Sequence, residues 1–114
     1  MYRIEGNGSY RNTFIWKDGQ KISYKKCIFR INIAECVAEV DGISGTLDRM
    51  IISAVYLIIS DGNFNNSRIL FHDEMLRGIQ SIIGKIDNEG HPMLRVDAIL
   101  LPNIIEAPFA EESK

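Results

Sequence analysis

The sequence contains few cysteines and histidines, the residues that form disulfide bonds and bind metal ions, and it is also poor in proline and tryptophan. Its 114 residues include two cysteines, three prolines, two histidines and one tryptophan. Cys27 and Cys36 lie too far apart along an extended chain for a disulfide bond. Neither has a histidine or a further cysteine near it at the spacing of a zinc site. We therefore expect free thiols and no cofactor.

Long apolar runs are also missing. The main one, at residues 50–59, is interrupted only by Ser53 and is far shorter than the ~20 residues of a membrane-spanning helix. The first ten residues are polar and lack the apolar segment of a signal peptide. We expect a cytoplasmic protein that has no membrane partner.

A large net charge of one sign is absent, but the charges are unevenly distributed. Residues 1–30 hold seven Lys/Arg against two Asp/Glu, a net charge of +5, whereas residues 31–114 hold six against thirteen, a net charge of −7. This asymmetry indicates either an anionic partner for the basic part or electrostatic attraction between copies of the chain.

The residues that are present predict one α+β domain, with residues 1–105 forming the domain and residues 106–114 a flexible tail. Residues 50–59 fit both a helix and a strand, but five β-branched residues and Tyr56 favour a central strand that is apolar on both faces. Residues 73–86 place apolar side chains at helical spacing and predict an amphipathic helix. The helix stripe comprises Met75, Leu76, Ile79, Ile82, Ile83 and Ile86. We expect a curved, mainly antiparallel sheet of five or six strands with this helix packed on one face.

Two local patterns predict how the chain turns. Asp18-Gly19 between two alternating segments predicts a hairpin with a type I′ turn, in which Trp16 pairs with Lys21. Farther along, the apolar positions change from odd to even numbers around Ala34-Glu35. A bulge, bend or turn is therefore expected there, because a continuous strand keeps one parity toward the core.

The hairpin register makes a nucleic-acid-binding surface one hypothesis. Aromatic and basic side chains share one of its faces, as is typical of surfaces that bind single-stranded nucleic acid. The candidate residues are Arg11, Phe14, Trp16, Lys21, Lys25 and Lys26. The alternative is that Phe14 and Trp16 face the core while the lysines protect an edge strand. The overall acidity of the chain favours this alternative.

A loop after the apolar run resembles a calcium loop in part. Asp61, Asn63 and Asn65 match its first three ligand positions. Asn66 stands where that loop needs glycine, and His72 stands where it needs glutamate. An Asn-rich and Gly-rich surface turn is the favoured interpretation, because these residues adopt turns for reasons of their own backbone.

No motif predicts catalysis, so the sequence favours a non-enzymatic protein. The first hypothesis is an interaction or assembly subunit that forms homo-oligomers or binds a protein partner, because one helix covers only one face of the strand at residues 50–59. The second is the nucleic-acid-binding module. The third is a small metal-assisted enzyme near His72, Asp73 and Glu74, although adjacent side chains point in different directions.

Overall fold

The computed structural model describes residues 1–53, 56–71, 73–90, 93–98 and 105–108, and the regular secondary structure of this part of the chain is almost entirely β-strand. The strands are β1 (Tyr2–Gly6), β2 (Thr13–Lys17), β3 (Gln20–Ile22), β4 (Lys26–Asn32), β5 (Cys36–Val40), β6 (Ile43–Ser53), β7 (Tyr56–Ser60), β8 (Arg68–Phe71), β9 (Glu74–Met75), β10 (Ile79–Asp87), β11 (Met93–Ala98) and β12 (Ile105–Pro108). One turn of 3-10 helix, Phe64–Asn66, lies between β7 and β8. The described residues contain no α-helix.

Strand β6 belongs to two sheets and so organises the fold. Its first half pairs antiparallel with β5, whereas its second half lies between β1, which is parallel to it, and β7, which is antiparallel. Sheet A has the order β3-β2-β1-β6-β7-β8-β9, and sheet B has the order β12-β11-β10-β4-β5-β6. A continuous path of paired strands therefore passes from one sheet into the other.

The two sheets share one hydrophobic core. Ile4 and Ile15 from sheet A are fully buried in the same cluster as Phe29 and Ile82 from sheet B. The smallest dimension of the molecule, 22 Å, fits two layers, because packed sheets lie about 10 Å apart. Each such side chain stabilises the fold by about 1.5–3 kcal/mol relative to an exposed position.

The predicted α+β class is wrong, because the helix expected at residues 73–86 is absent. The described part of this segment forms β9 and β10, joined by a link in which Gly78 has a φ of +70°. Along β10, Ile82 and Ile86 are buried, while Ile83 lies on the other face. A spacing of four residues fits one face of a helix and also one face of a strand, and the isoleucines are β-branched. Instead of five or six strands beside a helix, the described residues form twelve strands.

The described residues of the apolar run at residues 50–59 are β-structure, as expected, but they belong to two strands. The end of β6 and the start of β7 pair antiparallel, with Ile51 opposite Ile59 and Ile52 opposite Ile58. Residues 54 and 55 lie outside the described part. Ile52 and Ile58 are buried, whereas Ile59 is exposed on the opposite face.

Both turn predictions are confirmed. Asp18 and Gly19 have φ values of +50° and +85°, and Trp16 pairs with Lys21 as expected. The parity change around residue 34 is a turn between β4 and β5. In this turn, the side-chain oxygen of Asn32 accepts hydrogen bonds from two backbone N–H groups, those of Ala34 and Glu35.

The last described element of the chain is a strand of sheet B. Strand β12 spans the boundary expected between the domain and its tail, and it pairs antiparallel with β11. Residues 109–114 lie outside the described part.

Where the structure describes the chain, no helix is long and apolar enough to cross a membrane.

Candidate binding surface on sheet A

Phe14 and Trp16 lie on the outer face of sheet A, away from the core. On β2, Thr13 and Ile15 are buried, so the residues between and after them point outward. Phe14 is 40% exposed. The favoured expectation that these two rings face the core is therefore wrong. Ile15 takes the inward position beside Ile4, and the alternation of a strand then leaves the rings outside.

Each of these two rings is paired with a cation. The Arg3 guanidinium carbon lies 4.2 Å from the centroid of the Trp16 ring, and Lys21 Nζ lies 4.2 Å from the centroid of the Phe14 ring. The two rings meet edge to face, with centroids 6.5 Å apart and planes inclined by 62°. Exposed cation–π pairs stabilise by about 0.5–1 kcal/mol each. We call Arg3, Phe14, Trp16 and Lys21 the aromatic–cationic patch.

Carboxylates also lie beside this patch. Glu5 Oε1 is 3.9 Å from Arg3 Nε and also 3.9 Å from Nε of Arg49, which pairs with Arg3 across β1 and β6. These long, partly exposed ion pairs contribute little to stability. Three cations lie against the carboxylates of Glu5 and Asp48, and Asp18 is paired with the N-terminal ammonium group, so this end of sheet A has a small positive excess on a chain whose net charge is −2.

Apolar side chains occupy the outward positions on the other half of the same face. We call them the apolar row: Ile51, Leu57, Ile59, Leu70 and Met75. Ile59 and Met75 are 38% and 46% exposed. Outward positions of an antiparallel sheet that covers one core are normally polar. The row is thus an apolar surface that core packing does not explain.

The remaining nucleic-acid candidates lie outside the aromatic–cationic patch. Lys25 precedes β4 and Lys26 begins it, and their backbone N–H groups donate hydrogen bonds to the Asp41 carboxylate. Arg11 is exposed in the turn before β2. The structure therefore groups Phe14, Trp16 and Lys21 but separates the other three. Arg3 and Arg49 were not identified from the sequence. The alternation along β1 does place Arg3 on the other face of the strand from the buried Tyr2 and Ile4.

The calcium-loop candidates bind their own loop. Asp61 Oδ1 accepts the Asn63 N–H at 3.0 Å, and Asn63 Oδ1 accepts the Asn65 N–H at 2.9 Å. The Asn66 side chain donates to Asp61 Oδ2, and hydrogen bonds from Asn66 and Asn63 lower the pKa of Asp61. This geometry fits the surface-turn interpretation, and calcium binding stays a prediction.

Neither histidine is available for a structural test. His72 and His91 lie outside the described residues, so the hypothesis of an enzyme near His72 stays a prediction. Within the described ranges, no group of three or more His, Cys, Asp or Glu residues is arranged to hold a metal ion.

A shallow cleft opens beside Trp16. Its volume is about 240 Å³, and Arg3 and Asp48 contribute to its walls. Pockets that enclose small-molecule ligands usually measure about 300–1,000 Å³. The cleft therefore suits a group held at the surface better than an enclosed substrate.

Comparisons with known proteins give no match: no family model fits the chain, and no curated protein or solved structure is similar to it. The outer face of sheet A is therefore the basis for assigning a function.

Proposed function

We propose that this protein is a small, non-enzymatic assembly subunit that forms homo-oligomers through the apolar row of sheet A. The observation that carries this proposal is the row itself, which crosses four neighbouring strands, β6 to β9, on the side away from the core. The core needs apolar residues on only one face of these strands. A second apolar face is typical of a surface that packs against a partner.

A second copy of the chain is a suitable partner on symmetry and energetic grounds. In a two-fold interface the same surface meets itself, so the row of one copy packs against the row of the other. Covering an exposed apolar side chain contributes up to about 1.5–3 kcal/mol, less for side chains that are already partly covered. A stable interface buries about 800 Å² on each partner. Ile59 and Met75 then form part of the apolar centre, and polar neighbours such as Arg68 form the rim.

The proposed location is the cytoplasm. Both cysteines are free, and Cys27 is fully buried. Burial raises the pKa of the Cys27 thiol to about 12. Thiols stay reduced in the cytoplasm, where glutathione and thioredoxin act, so two free cysteines fit that compartment.

An Ile59→Glu substitution tests the assembly. We expect the wild-type protein to be oligomeric by light scattering and the variant to be monomeric, because a carboxylate introduced into an apolar interface must be desolvated, which costs several kcal/mol. Ile33→Glu is the matched control, since Ile33 is 80% exposed in the turn between β4 and β5, away from the row. The control should keep the wild-type mass.

Two results would contradict this assignment. One is a wild-type protein that stays monomeric at every concentration and salt level. The other is an equal loss of assembly in both variants while circular dichroism shows that both are folded. High salt should not dissociate the oligomer into monomers, because salting-out ions strengthen apolar contacts.

A further inference from the structure

We propose that the aromatic–cationic patch is a binding site for single-stranded nucleic acid. The patch lies on β1 to β3, at the other end of sheet A from the apolar row, and the proposal does not depend on assembly. Phe14 and Trp16 provide rings on which bases stack, and Arg3 and Lys21 place a positive charge 4.2 Å from each ring. Stacking and phosphate attraction are thus available at the same place.

The ring geometry favours a single strand over a duplex. The planes of Phe14 and Trp16 are inclined by 62° at a centroid distance of 6.5 Å. The parallel, stacked bases of a duplex cannot lie flat on both rings at once. The bases of a single strand turn independently and can do so.

Charge complementarity directs a polyanion to this end of the molecule. The patch and its neighbour Arg49 hold three cations; the carboxylates of Glu5 and Asp48 lie beside them, and that of Asp18 is paired with the N-terminal ammonium group, which leaves a small positive excess. Residues 31–114 carry a net charge of −7, which repels phosphates from most of the remaining surface. An acidic peptide would share this attraction, but its aspartate and glutamate side chains carry no flat rings to stack on Phe14 and Trp16. The arrangement therefore favours bases together with phosphates.

The single tryptophan makes the site directly observable. We expect a labelled single-stranded oligonucleotide of mixed sequence to quench Trp16 fluorescence and to gain anisotropy. The logarithm of the binding constant should fall linearly with the logarithm of salt concentration, with a slope of about −2, because three cations each displace about 0.7 counterion from a single strand. Stacking does not read base edges, so the affinity should depend little on sequence.

Five variants separate this site from general charge attraction and from assembly. Trp16→Ala and Phe14→Ala should each weaken binding by about 5- to 100-fold. Lys21→Ala should weaken it and make the salt slope shallower by about 0.7. Lys85→Ala removes the same charge from the outer face of sheet B and should leave affinity unchanged. Ile59→Glu should retain binding, which distinguishes this proposal from assembly.

Three outcomes would overturn the inference, provided that circular dichroism shows folded variants. They are no quenching of Trp16 at low salt, equal affinity in wild type and Trp16→Ala, and equal weakening by Lys21→Ala and Lys85→Ala. Polyglutamate that competes as well as the oligonucleotide would also overturn it, because charge alone would then explain binding and an acidic protein would be the better partner.

Discussion

A Gly62→Ala variant should lose about 2–5 kcal/mol of its free energy of unfolding. A Cβ at Gly62 would lie 2.3 Å from the backbone carbonyl oxygen of Leu47. This carbonyl belongs to β6, and Leu47 is paired with Tyr2 of β1, so it cannot move without disturbing the junction of the two sheets. Gly62 also has a φ of +92°, which is strained for any residue with a side chain.

Gly42→Ala separates the two contributions to this loss. Gly42 has a similar φ of +85°, but a Cβ there would have no atom within 4 Å. This control keeps the backbone strain and omits the clash, so we expect a loss of only about 1–2 kcal/mol. Urea unfolding of both variants measures the difference. Equal losses would show that the Leu47 carbonyl moves away from the added methyl group at little cost in free energy.

Alkaline solution should lower the free energy of unfolding by up to about 4 kcal/mol between pH 9 and pH 12 through Cys27. Burial, with a smaller contribution from the Asp41 carboxylate, raises the pKa of this thiol from 9.0 to about 12. The unfolded chain releases the proton near pH 9, whereas the folded chain keeps it. The stabilisation is therefore complete below pH 9 and is lost as the pH rises toward 12.

Unfolding of a Cys27→Ala variant across this pH range provides the check. The variant loses packing and is less stable throughout, but its stability should fall less steeply above pH 9 than that of the wild type. The free energy of unfolding of the variant should still fall with pH above pH 10, because burial also raises the pKa of Tyr24 and of Tyr2. Parallel curves for wild type and variant would show that Cys27 is not the group responsible.

Local chemistry made the turns predictable from sequence. Asp18 and Gly19 tolerate the positive φ values that a type I′ turn requires, and few other residue pairs do. The turn near Ala34 followed from parity, because strands alternate strictly between two faces. Both signals lie within a few residues and need no knowledge of the rest of the fold.

The class of the fold was not predictable in the same way. Ile82 and Ile86 satisfy a helical stripe and also the inward face of a strand, so spacing alone does not decide between them. Pairing with β11 and with β4, which is far away in sequence, decides in favour of a strand. The helix prediction gave too little weight to the β-branching of four isoleucines and to the cost of Gly78 and Gly84 in a helix.

The binding surface was predictable only in part. The hairpin register correctly placed Phe14, Trp16 and Lys21 on one face, but a hairpin alone does not show which of its faces meets the core. The choice depends on β1, whose Tyr2 and Ile4 are buried and draw Ile15 inward. Arg49 comes next to Arg3 through parallel pairing of distant strands, which no local pattern reveals.

The parallel pairing of β1 with β6 also sets an order of events during synthesis. Tyr2 pairs with Leu47, so a ribosome must add about 45 more residues after β1 before its second neighbour exists. At about 5–20 residues per second this takes about 2–9 s. During this interval β1 to β3 can form a meander, but one edge of β1 exposes unpaired N–H and C=O groups to other nascent chains. Until β6 is made, β1 therefore offers an additional open edge for misassembly between neighbouring ribosomes.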